Sequence, residues 1–495
     1  MVFEIVPSAR SRIAWTWAVL AAWLVGAIVF AWRRIPFNDE WYSITLARDT
    51  TWHDFRASLV ADSHPPWIAL LDRALMSGCP DRRILCLPRV AASLMALVIM
   101  RRVVLKAWPG VGPLLVTLAA FHPLVFFYAG AVRWYPFAFL ADALRSWAIW
   151  GASKRRDGAL AFLAGAVVGV MSGYGEGLLV AVDACWLVAR RRDRSALRTA
   201  AFGVAGALAT VVAAPIVHAW PGLPGPRGAP VLENLVEWAI PGPLGSVIVP
   251  WPFTPIVVLA LPGLVWGLLS AFRDHRRLAF ACWLATVAAS WAALSSNGIR
   301  HPRYSLALWY LTTCTLGLVR SSRLGIAART ATASYLAIAL WLTIRQRDFI
   351  FNDENVMTPS ACAELVPDRS ALVVSSYLRT AEELQRVCAV SHVVSARNAR
   401  IYAPVADLDP IRDALRDGPV TAVYINAPGS AIDNATRRLR ALLSGRCTFR
   451  GGVPVAQSAL TPIRRIARAE SAVYRYTSER WDCGAARQER DQASH

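Results

Sequence analysis

The sequence predicts a polytopic α-helical membrane protein of about eleven transmembrane helices that ends in a soluble α/β domain. Three observations carry this prediction. The 495-residue chain is 55% hydrophobic and contains 21 tryptophans, so it is more apolar than a soluble globular protein. Charged residues are scarce in the first 345 positions and common afterwards. Clusters of basic residues also recur between the apolar segments. We therefore predict a membrane domain over residues 1–345 and a soluble domain over residues 346–495.

The membrane domain contains about eleven apolar segments, most of them near the roughly 20 residues that a helix needs to cross the hydrocarbon core. The first segment is not followed by a small-residue cleavage site, which is typical of a signal anchor that stays in the protein. The predicted spans are 13–32, 87–107, 111–131, 134–150, 159–174, 176–189, 198–219, 246–271, 278–295, 303–319 and 324–344.

Basic loops predict the orientation, because short loops rich in Arg and Lys stay in the cytoplasm. Five such clusters follow every second predicted span, and Arg10 and Arg12 place the N-terminus on the same side. The clusters are Arg101/Arg102/Lys106, Lys154/Arg155/Arg156, Arg190/Arg191/Arg192/Arg194, Arg273/Arg276/Arg277 and Arg320/Arg323. Arg33 and Arg34 are an exception that five clusters outweigh. The soluble domain is therefore predicted outside. With two lysines against 51 arginines, the composition favours a GC-rich bacterium, hence an inner (plasma) membrane and a periplasmic domain.

The net charge of +20 belongs to the membrane domain. Residues 346–495 hold 20 arginines and 17 acids, which nearly balance. The excess is a topology signal that also attracts anionic lipid headgroups. The sequence contains no nucleic-acid-binding module, so nucleic acid is not an expected partner.

The cysteines fit an oxidising outer compartment. One group lies in the soluble domain and a second lies in or beside the first outer loop. Pairings within each group are possible, but the connectivity cannot be read from sequence. The first group is Cys362, Cys388, Cys447 and Cys483, and the second is Cys79 and Cys86. Cys185, Cys282 and Cys314 lie in predicted spans and are expected to pack there.

The soluble domain alternates strand-like apolar runs with helical ones. The strand-like runs are 371–377, 421–426 and 471–476, and the helical runs are 380–390 and 431–445. A parallel or mixed sheet covered by helices is the simplest arrangement of such elements. The domain carries no glycine-rich phosphate loop, and accessory, acceptor-positioning and stabilising roles are all open.

The first outer loop, residues 33–86, is long for a connection between spans. Asp39 and Glu40 follow directly after the first predicted helix, and residues 46–59 have the spacing of a helix lying in the membrane interface. Asp62 or Ser63 is then predicted to cap a helix opened by Pro65 or Pro66. Exposed acids at a helix end are usually solvated or capping residues, so these features alone do not establish catalysis.

Several segments resemble the GT-C superfamily, in particular bacterial members similar to protein O-mannosyltransferases and the aminoarabinose transferase of lipid A. NDEWYSITLAR through DSHPPWIALLDRAL resembles their first outer loop, where an acidic pair precedes a His-Pro-Pro or similar turn. The similarity continues through LPRVAASLMALVIMRR to FHPLVFFYAGAVRWYPFAFLADAL. There Arg133 and Tyr135 match the Arg and Tyr of a Glu-Ala-Arg-x-Tyr-like segment, but Gly130 and Ala131 stand near the place of its acid.

Two later segments extend the resemblance. SGYGEGLLVAV is similar to a segment that often carries His, and Tyr174 takes that place here. HPRYSLALWYL resembles the Arg-Tyr entry to a late helix and supplies Arg303 and Tyr304. The layout of the superfamily covers roughly residues 10–345. The order of these motifs, all predicted outside, is stronger evidence than any one of them.

The resemblance implies a glycosyltransferase that takes a sugar from a polyprenyl-phosphate donor, with inversion, and passes it to a lipid, glycan or protein outside the cytoplasm, as in glycan or lipopolysaccharide biosynthesis. Asp39 is expected to orient or deprotonate the acceptor, with Glu40 as a second acid or acceptor-positioning group. The acidic pair can bind a divalent cation or act alone. The leaving phosphate requires cationic and hydrogen-bonding groups. The expected groups are Arg133, Tyr135, Arg303, Tyr304 and His64, with Arg300, His301, Asp62, Tyr174 and Glu176 as further candidates.

Simpler roles exist for several of these side chains. Arg133 and Arg303 can snorkel to the outer headgroups, and His64 can cap a turn. Glu176 is expected at a solvated helix end. Asp142 and Arg145 are expected to pair within their helix, and Asp183 to bond a neighbouring helix.

A transporter, a flippase or an inactive scaffold of the same fold is the alternative class, because a fold does not determine a function. A transporter is expected to carry broken helices or paired charges near the membrane midplane. The sequence shows no convincing repeat, and its charges crowd at the predicted outer face, which favours the enzyme.

Overall fold

The computed structural model describes residues 9–33, 38–48, 51–61, 64–79, 81–107, 112–151 and 155–217, with scattered positions between 279 and 337. Further along the chain it describes 362–363, 365–366, 371–375, 384–385, 388–395, 408–417, 421–426, 434–458 and 473–483. The chain divides into two compact units. Unit 1 comprises residues 1–34 and 59–347, and unit 2 comprises residues 35–58 and 348–495.

The described part of unit 1 is helical. Its elements are α1 (Ala9–Arg33), α4 (Pro66–Gly78), a 3₁₀ turn (Arg82–Leu85), α5 (Cys86–Ala107), α6 (Gly112–Ala120), α7 (Pro123–Tyr128), α8 (Tyr135–Ser146), a π-helical segment (Trp147–Gly151), α9 (Arg155–Ser172), α10 (Glu176–Arg191) and α11 (Arg194–Val217). Three helices among the described residues are long and apolar enough to cross a membrane, over Ile13–Arg33, Arg82–Lys106 and Arg194–Ala214. The predicted spans from 246 onwards lie largely outside the described residues.

The span predicted over 111–131 is wrong as a single helix, because the chain forms α6 and α7 there. Pro123 is the cause. A proline has no backbone N–H to continue the helix, and its ring disfavours helical geometry in the residue before it. His122 N accordingly donates to Ala119 O in a tightened last turn at 3.3 Å, and a new helix starts at Pro123.

Helices α1 and α5 are joined by a buried arginine. The Nε of Arg101 donates to Oγ1 of Thr16 at 2.6 Å, and its guanidinium lies 4.7 Å from the ring centroid of Trp17. Arg101 belongs to a basic cluster predicted to face the cytoplasm. One of the topology-setting cations is therefore also a buried packing element.

The first outer loop forms short helices. Asp39 and Glu40 lie in the first turn of α2 (Asn38–Arg48), and α3 spans Trp52–Ala61. The single interfacial helix predicted over 46–59 therefore falls on two helices. The predicted cap of α4 is wrong, because the residue at the N-cap position is Pro65 and no side chain bonds the exposed amides. Pro66 opens α4, as predicted.

Unit 2 contains a five-stranded sheet in the order β2-β1-β3-β5-β4, and of the parallel and mixed forms that the sequence left open it is the mixed one. Strands β1 (Leu372–Ser375), β2 (Val393–Ser395) and β3 (Thr421–Asn426) are parallel, and β5 (Val473–Asp482) is antiparallel to β3 and to β4 (Thr448–Ser458). Helices α12 (Asp409–Asp417) and α13 (Asn434–Ser444) accompany the sheet. Because β4 is an edge strand, it tolerates Pro454, which cannot donate a ladder hydrogen bond.

Both faces of this sheet are covered. Alternation along β1 sends Val373 into one apolar cluster and Leu372 with Val374 into another. A disulfide reinforces each cluster: Cys362 pairs with Cys388, and Cys447 pairs with Cys483. In the outer loop, the disulfide that the sequence left possible between Cys79 and Cys86 is not formed, and the Cys86 thiol donates to Arg83 O at 2.9 Å.

Candidate functional site

Arg133 lies on a tight segment between α7 and α8. Ser93 Oγ of α5 donates to the carbonyl of Ala129 at 3.2 Å, and Arg133 N donates to Ala131 O at 2.7 Å. Gly130 is required at this point, because a Cβ there would stand 2.4 Å from the Cβ of Ala31 on α1. This close approach fixes the backbone that presents the half-buried Arg133 side chain.

Aromatic rings surround this segment. The ring of His64, at the turn before α4, lies 6.2 Å from that of Trp134, which in turn lies 4.7 Å from Tyr135. Tyr135 is fully buried and packs edge-on against Tyr128 at 5.4 Å. The structure thus brings three sequence-predicted residues, Arg133, Tyr135 and His64, into one neighbourhood of unit 1.

An ion pair that the sequence analysis did not single out lies beside Arg133. Arg89 Nη2 donates to Asp72 Oδ2 at 2.8 Å, and Nη1 faces Oδ1 at 2.5 Å. Both side chains are buried, at 0% and 1% exposure. Burial raises the pKa of the Asp72 carboxyl, while Arg89 and then Arg133 oppose the rise by favouring its ionised form. Asp72 therefore interacts with both arginines.

More cations lie near the start of α5. Arg82 is buried, and the Arg83 guanidinium lies 5.4 Å from the ring centroid of Trp32. Their acidic neighbour Asp81 accepts a 2.9 Å hydrogen bond from the backbone N–H of Arg83 and so caps the 3₁₀ turn. This end of unit 1, predicted to face outwards, therefore carries an excess of positive charge, which suits an anionic ligand.

The acidic pair lies in unit 2. Asp39 and Glu40 are adjacent in the first turn of α2, where the helix dipole favours negative charge. Glu40 is fully buried and so is not a solvated residue at a helix end. The Asp39 side chain lies outside the described residues.

Glu176, expected at a solvated helix end, is instead fully buried in an ion cluster. Arg145 Nη2 donates to its Oε2 at 2.7 Å, and Arg145 also contacts Asp142 and Asp183. The predicted pairing of Asp142 with Arg145 and the predicted bond from Asp183 to a neighbouring helix are thereby confirmed. Tyr174, two residues before Glu176, is half-buried in the turn that precedes α10.

Five predicted site residues fall outside the described part of the chain: Asp62, Arg300, His301, Arg303 and Tyr304. Among the residues that are described, no group of three or more His, Cys, Asp or Glu is arranged to hold a metal ion.

No protein-family model and no curated protein matches the chain. Among solved structures, ArnT from Cupriavidus metallidurans in the apo state matches with a TM-score of 0.52 and 12% identity, covering 94% of this chain and 98% of that one. The same protein bound to undecaprenyl phosphate matches with a TM-score of 0.51 over the same shares. The chain therefore shares its fold with these ArnT structures over nearly its whole length.

This shared fold agrees with the resemblance drawn from the motifs, and three helices among the described residues are long and apolar enough to cross a membrane. The structure also accounts for this chain's departure from the GT-C pattern near Arg133. The missing acid would belong near Gly130 and Ala131, where the first position lacks room for a Cβ and the second is fully buried. A carboxylate there would require α1 to move away.

Sequence analysis missed Asp72 and Arg89. Two signals could have found them. Asp72 interrupts the apolar stretch WIALLDRAL. Arg89 is a cation in the first turn of α5, and this end of the helix is predicted to face outwards. A cation that opposes the positive-inside bias usually has a specific partner or role.

Proposed function

We propose that the protein is a membrane glycosyltransferase that moves a sugar from a polyprenyl-phosphate donor to an extracytoplasmic lipid, glycan or protein, with inversion at the anomeric carbon. The carrying observation is the GT-C fold over nearly the whole chain, shared with an ArnT structure bound to undecaprenyl phosphate. The cationic neighbourhood of Arg133 supports the same assignment.

Asp39 is the proposed catalytic base. An acceptor hydroxyl must lose its proton as it attacks the anomeric carbon, and a carboxylate within hydrogen-bond reach performs this task. Glu40, buried beside it in sequence, is proposed as the second acid or as the group that positions the acceptor. The two residues are also the proposed ligands of any divalent cation that the reaction uses.

Arg133 is proposed to bind the leaving lipid phosphate, with His64 and Tyr135 completing its surroundings. A guanidinium offers paired N–H donors that match phosphate oxygens, and its charge stabilises the phosphate as the glycosidic bond breaks. The resemblance adds Arg303 and Tyr304 to this group, with Arg300, His301, Asp62 and Tyr174 as further proposed contacts.

The proposed location is a bacterial inner membrane, with the N-terminus in the cytoplasm. Residues 1–345 are the proposed catalytic domain. Residues 346–495 are the proposed periplasmic domain, and their two disulfides agree with an oxidising compartment.

A transporter or flippase of lipid-linked sugars is the second candidate, and one observation favours it. Arg145 and three carboxylates form a largely buried ion cluster between helices, and charges buried inside membrane proteins often serve transport. An inactive scaffold of the same fold is the third reading.

The test is sugar transfer by purified full-length protein in nanodiscs. A panel of polyprenyl-phosphate sugars and acceptors is assayed with Mg²⁺ and with EDTA, comparing wild type, Asp39→Asn and the matched control Asp157→Asn in α9. Transfer that is lost in Asp39→Asn and kept in the control supports the proposal. Activity that survives in Asp39→Asn moves the base to Glu40 or elsewhere. Donor movement across vesicles without any transfer would favour the transporter.

A further inference from the structure

Arg89 and Asp72 have no part in the function proposed above, although they lie beside Arg133. A buried ion pair contributes little net stability, because the desolvation of both charges offsets their attraction. Apolar residues would join α4 to α5 equally well. Stability alone therefore does not account for two charges with 0% and 1% exposure at this position.

Arg89 is held on several sides. Its Nη2 donates to Asp72 Oδ2, its Nη1 donates to the carbonyl of Leu85 at 2.9 Å, and its guanidinium lies 5.5 Å from the ring centroid of Phe137. Phe137 belongs to the first turn of α8, directly after the Arg133 segment. Just before the start of α4, the ring of His64 faces that of Trp134. Helix α4 is thus linked to residues 133–137 at two places.

The electrostatic arrangement explains why Arg89 is needed. Arg133 favours the ionised form of the Asp72 carboxyl and opposes the rise in pKa that burial causes, and Arg89 links Asp72 to Phe137, four residues after Arg133. A carboxylate near a phosphate-binding arginine competes with the phosphate for that cation. Arg89 engages both oxygens of Asp72, and with Arg89 the formal charge of the three groups is positive instead of zero.

We propose that Arg89 is a positioning residue for donor binding: it neutralises Asp72, holds the first turn of α8, and so preserves the charge and place of Arg133 for the lipid phosphate. The inference rests on the proposed function and assigns a role to two residues outside the motifs. Arg89 acts through Arg133 and does not itself contact the substrate.

The test measures the Kd of undecaprenyl phosphate for the full-length protein in nanodiscs, with the uncharged alcohol undecaprenol as the matched ligand. We expect Arg89→Gln to weaken binding of the phosphate by about tenfold or more, because Asp72 then competes for Arg133. Binding of undecaprenol is expected to be unchanged. Asp157→Asn, which removes a carboxylate in the first turn of α9, serves as the control and leaves both affinities unchanged.

Two double variants separate positioning from simple structural support. Adding Asp72→Asn to Arg89→Gln removes the competing carboxylate and is expected to restore most of the lost phosphate affinity. In an Arg133→Gln background, Arg89→Gln is expected to have almost no further effect, because residues that act through one group are not additive. Should Arg89→Gln fail to fold, Arg89→Lys keeps the charge but cannot span both oxygens, and it is expected to give an intermediate loss.

Two results would overturn the positioning role and leave the proposed function in place. One is that Arg89→Gln weakens the binding of undecaprenyl phosphate equally in the presence and in the absence of Arg133. The other is that a folded Arg89→Gln/Asp72→Asn double variant recovers none of the lost affinity. Weakening that is the same for undecaprenol and for its phosphate would also overturn it. A wild-type protein that binds neither lipid would instead overturn the proposed function itself, and the inference with it.

Discussion

Arg145 on α8 and Asp183 on α10 are joined across the two helices: the Nε of Arg145 donates to Oδ2 of Asp183 at 2.8 Å. The other oxygen of Asp183 accepts a 2.9 Å hydrogen bond from Nε1 of Trp283. Asp142 and Glu176 contact the same guanidinium, so one cation serves three carboxylates. Gly169 makes room for it, since a Cβ there would stand 2.7 Å from Nη1 of Arg145.

We expect Arg145→Met to be far more destabilising than Glu176→Gln. Arg145 is the cation that these three carboxylates contact within the described part of the chain, so its removal leaves three buried negative charges close together, at a cost of about 3–5 kcal/mol. A Gln at position 176 keeps an oxygen that can accept from Arg145 and removes part of the excess negative charge. Thermal unfolding of the detergent-solubilised variants measures both effects. Equal loss of stability in the two variants would contradict this account of the cluster.

The second prediction concerns the contact between Gly130 and Ala31. Gly130→Ala places a methyl group 2.4 Å from the Cβ of Ala31, so either α1 or the Arg133 segment must shift, at a cost of about 1–3 kcal/mol. Gly177→Ala, where a Cβ meets nothing within 4 Å, is the control and should leave the melting temperature unchanged or higher.

A compensating change makes this prediction sharper. Ala31→Gly removes the obstructing methyl group, so the Gly130→Ala/Ala31→Gly double variant is expected to recover stability relative to Gly130→Ala, less the cost of a glycine within α1. If the double variant is no more stable than Gly130→Ala, the strain lies elsewhere in the segment.

Features encoded in neighbouring residues could be predicted from the sequence. Helix α1, the strands β1, β3 and β5, and the pairing of Asp142 with Arg145 follow from local apolar runs or from a spacing of three. The break between α6 and α7 was also readable, since Pro123 lies in the middle of the predicted span. Strand β4 was not predicted, because Gly451, Gly452 and Pro454 disfavour a strand and only pairing with β5 overrides them.

Contacts between distant residues left no local pattern. Asp72 and Arg89 are 17 positions apart, and Glu176 and Asp183 are 31 and 38 positions from Arg145. Their burial depends on helices α4, α9 and α10 reaching particular neighbours, which no single segment specifies. This is why Glu176 was expected in solvent and Arg89 was overlooked.

The third prediction concerns the basic residues at the end of α10, which the sequence assigns to topology and which also contact a neighbouring helical segment. Arg190 Nε donates to Ile149 O at 2.9 Å and Arg191 Nη2 to Ala148 O at 2.8 Å, so both satisfy carbonyls of the π-helical segment. The Arg190 guanidinium also lies 4.2 Å from the ring centroid of Trp150. Cations at such a carbonyl-rich helix end are favourable.

Arg190→Gln is therefore expected to lower stability by about 1–2 kcal/mol through the lost charged hydrogen bond and cation–π contact. Arg192→Gln is the matched control, because Arg192 is exposed and bonds the carbonyl of Ala189 in its own helix. Each variant removes one positive charge from the same cluster, so topology is affected equally. If the melting temperature falls by the same amount in both variants, these arginines have a topological role alone.

The last prediction concerns the two disulfides of unit 2. The bonds close loops of 26 and 36 residues, and cross-links of this length stabilise a fold by about 3–4 kcal/mol. We expect Cys447→Ser to unfold this unit at a lower temperature and to expose it to limited proteolysis. Cys185→Ser, which removes an exposed free thiol, is the control.

Peptide mapping without reduction should recover the Cys362–Cys388 and Cys447–Cys483 pairs from protein made in cells, because disulfides persist where the compartment is oxidising. Alkylation of all four cysteines before reduction would place unit 2 in a reducing compartment and contradict its proposed periplasmic location.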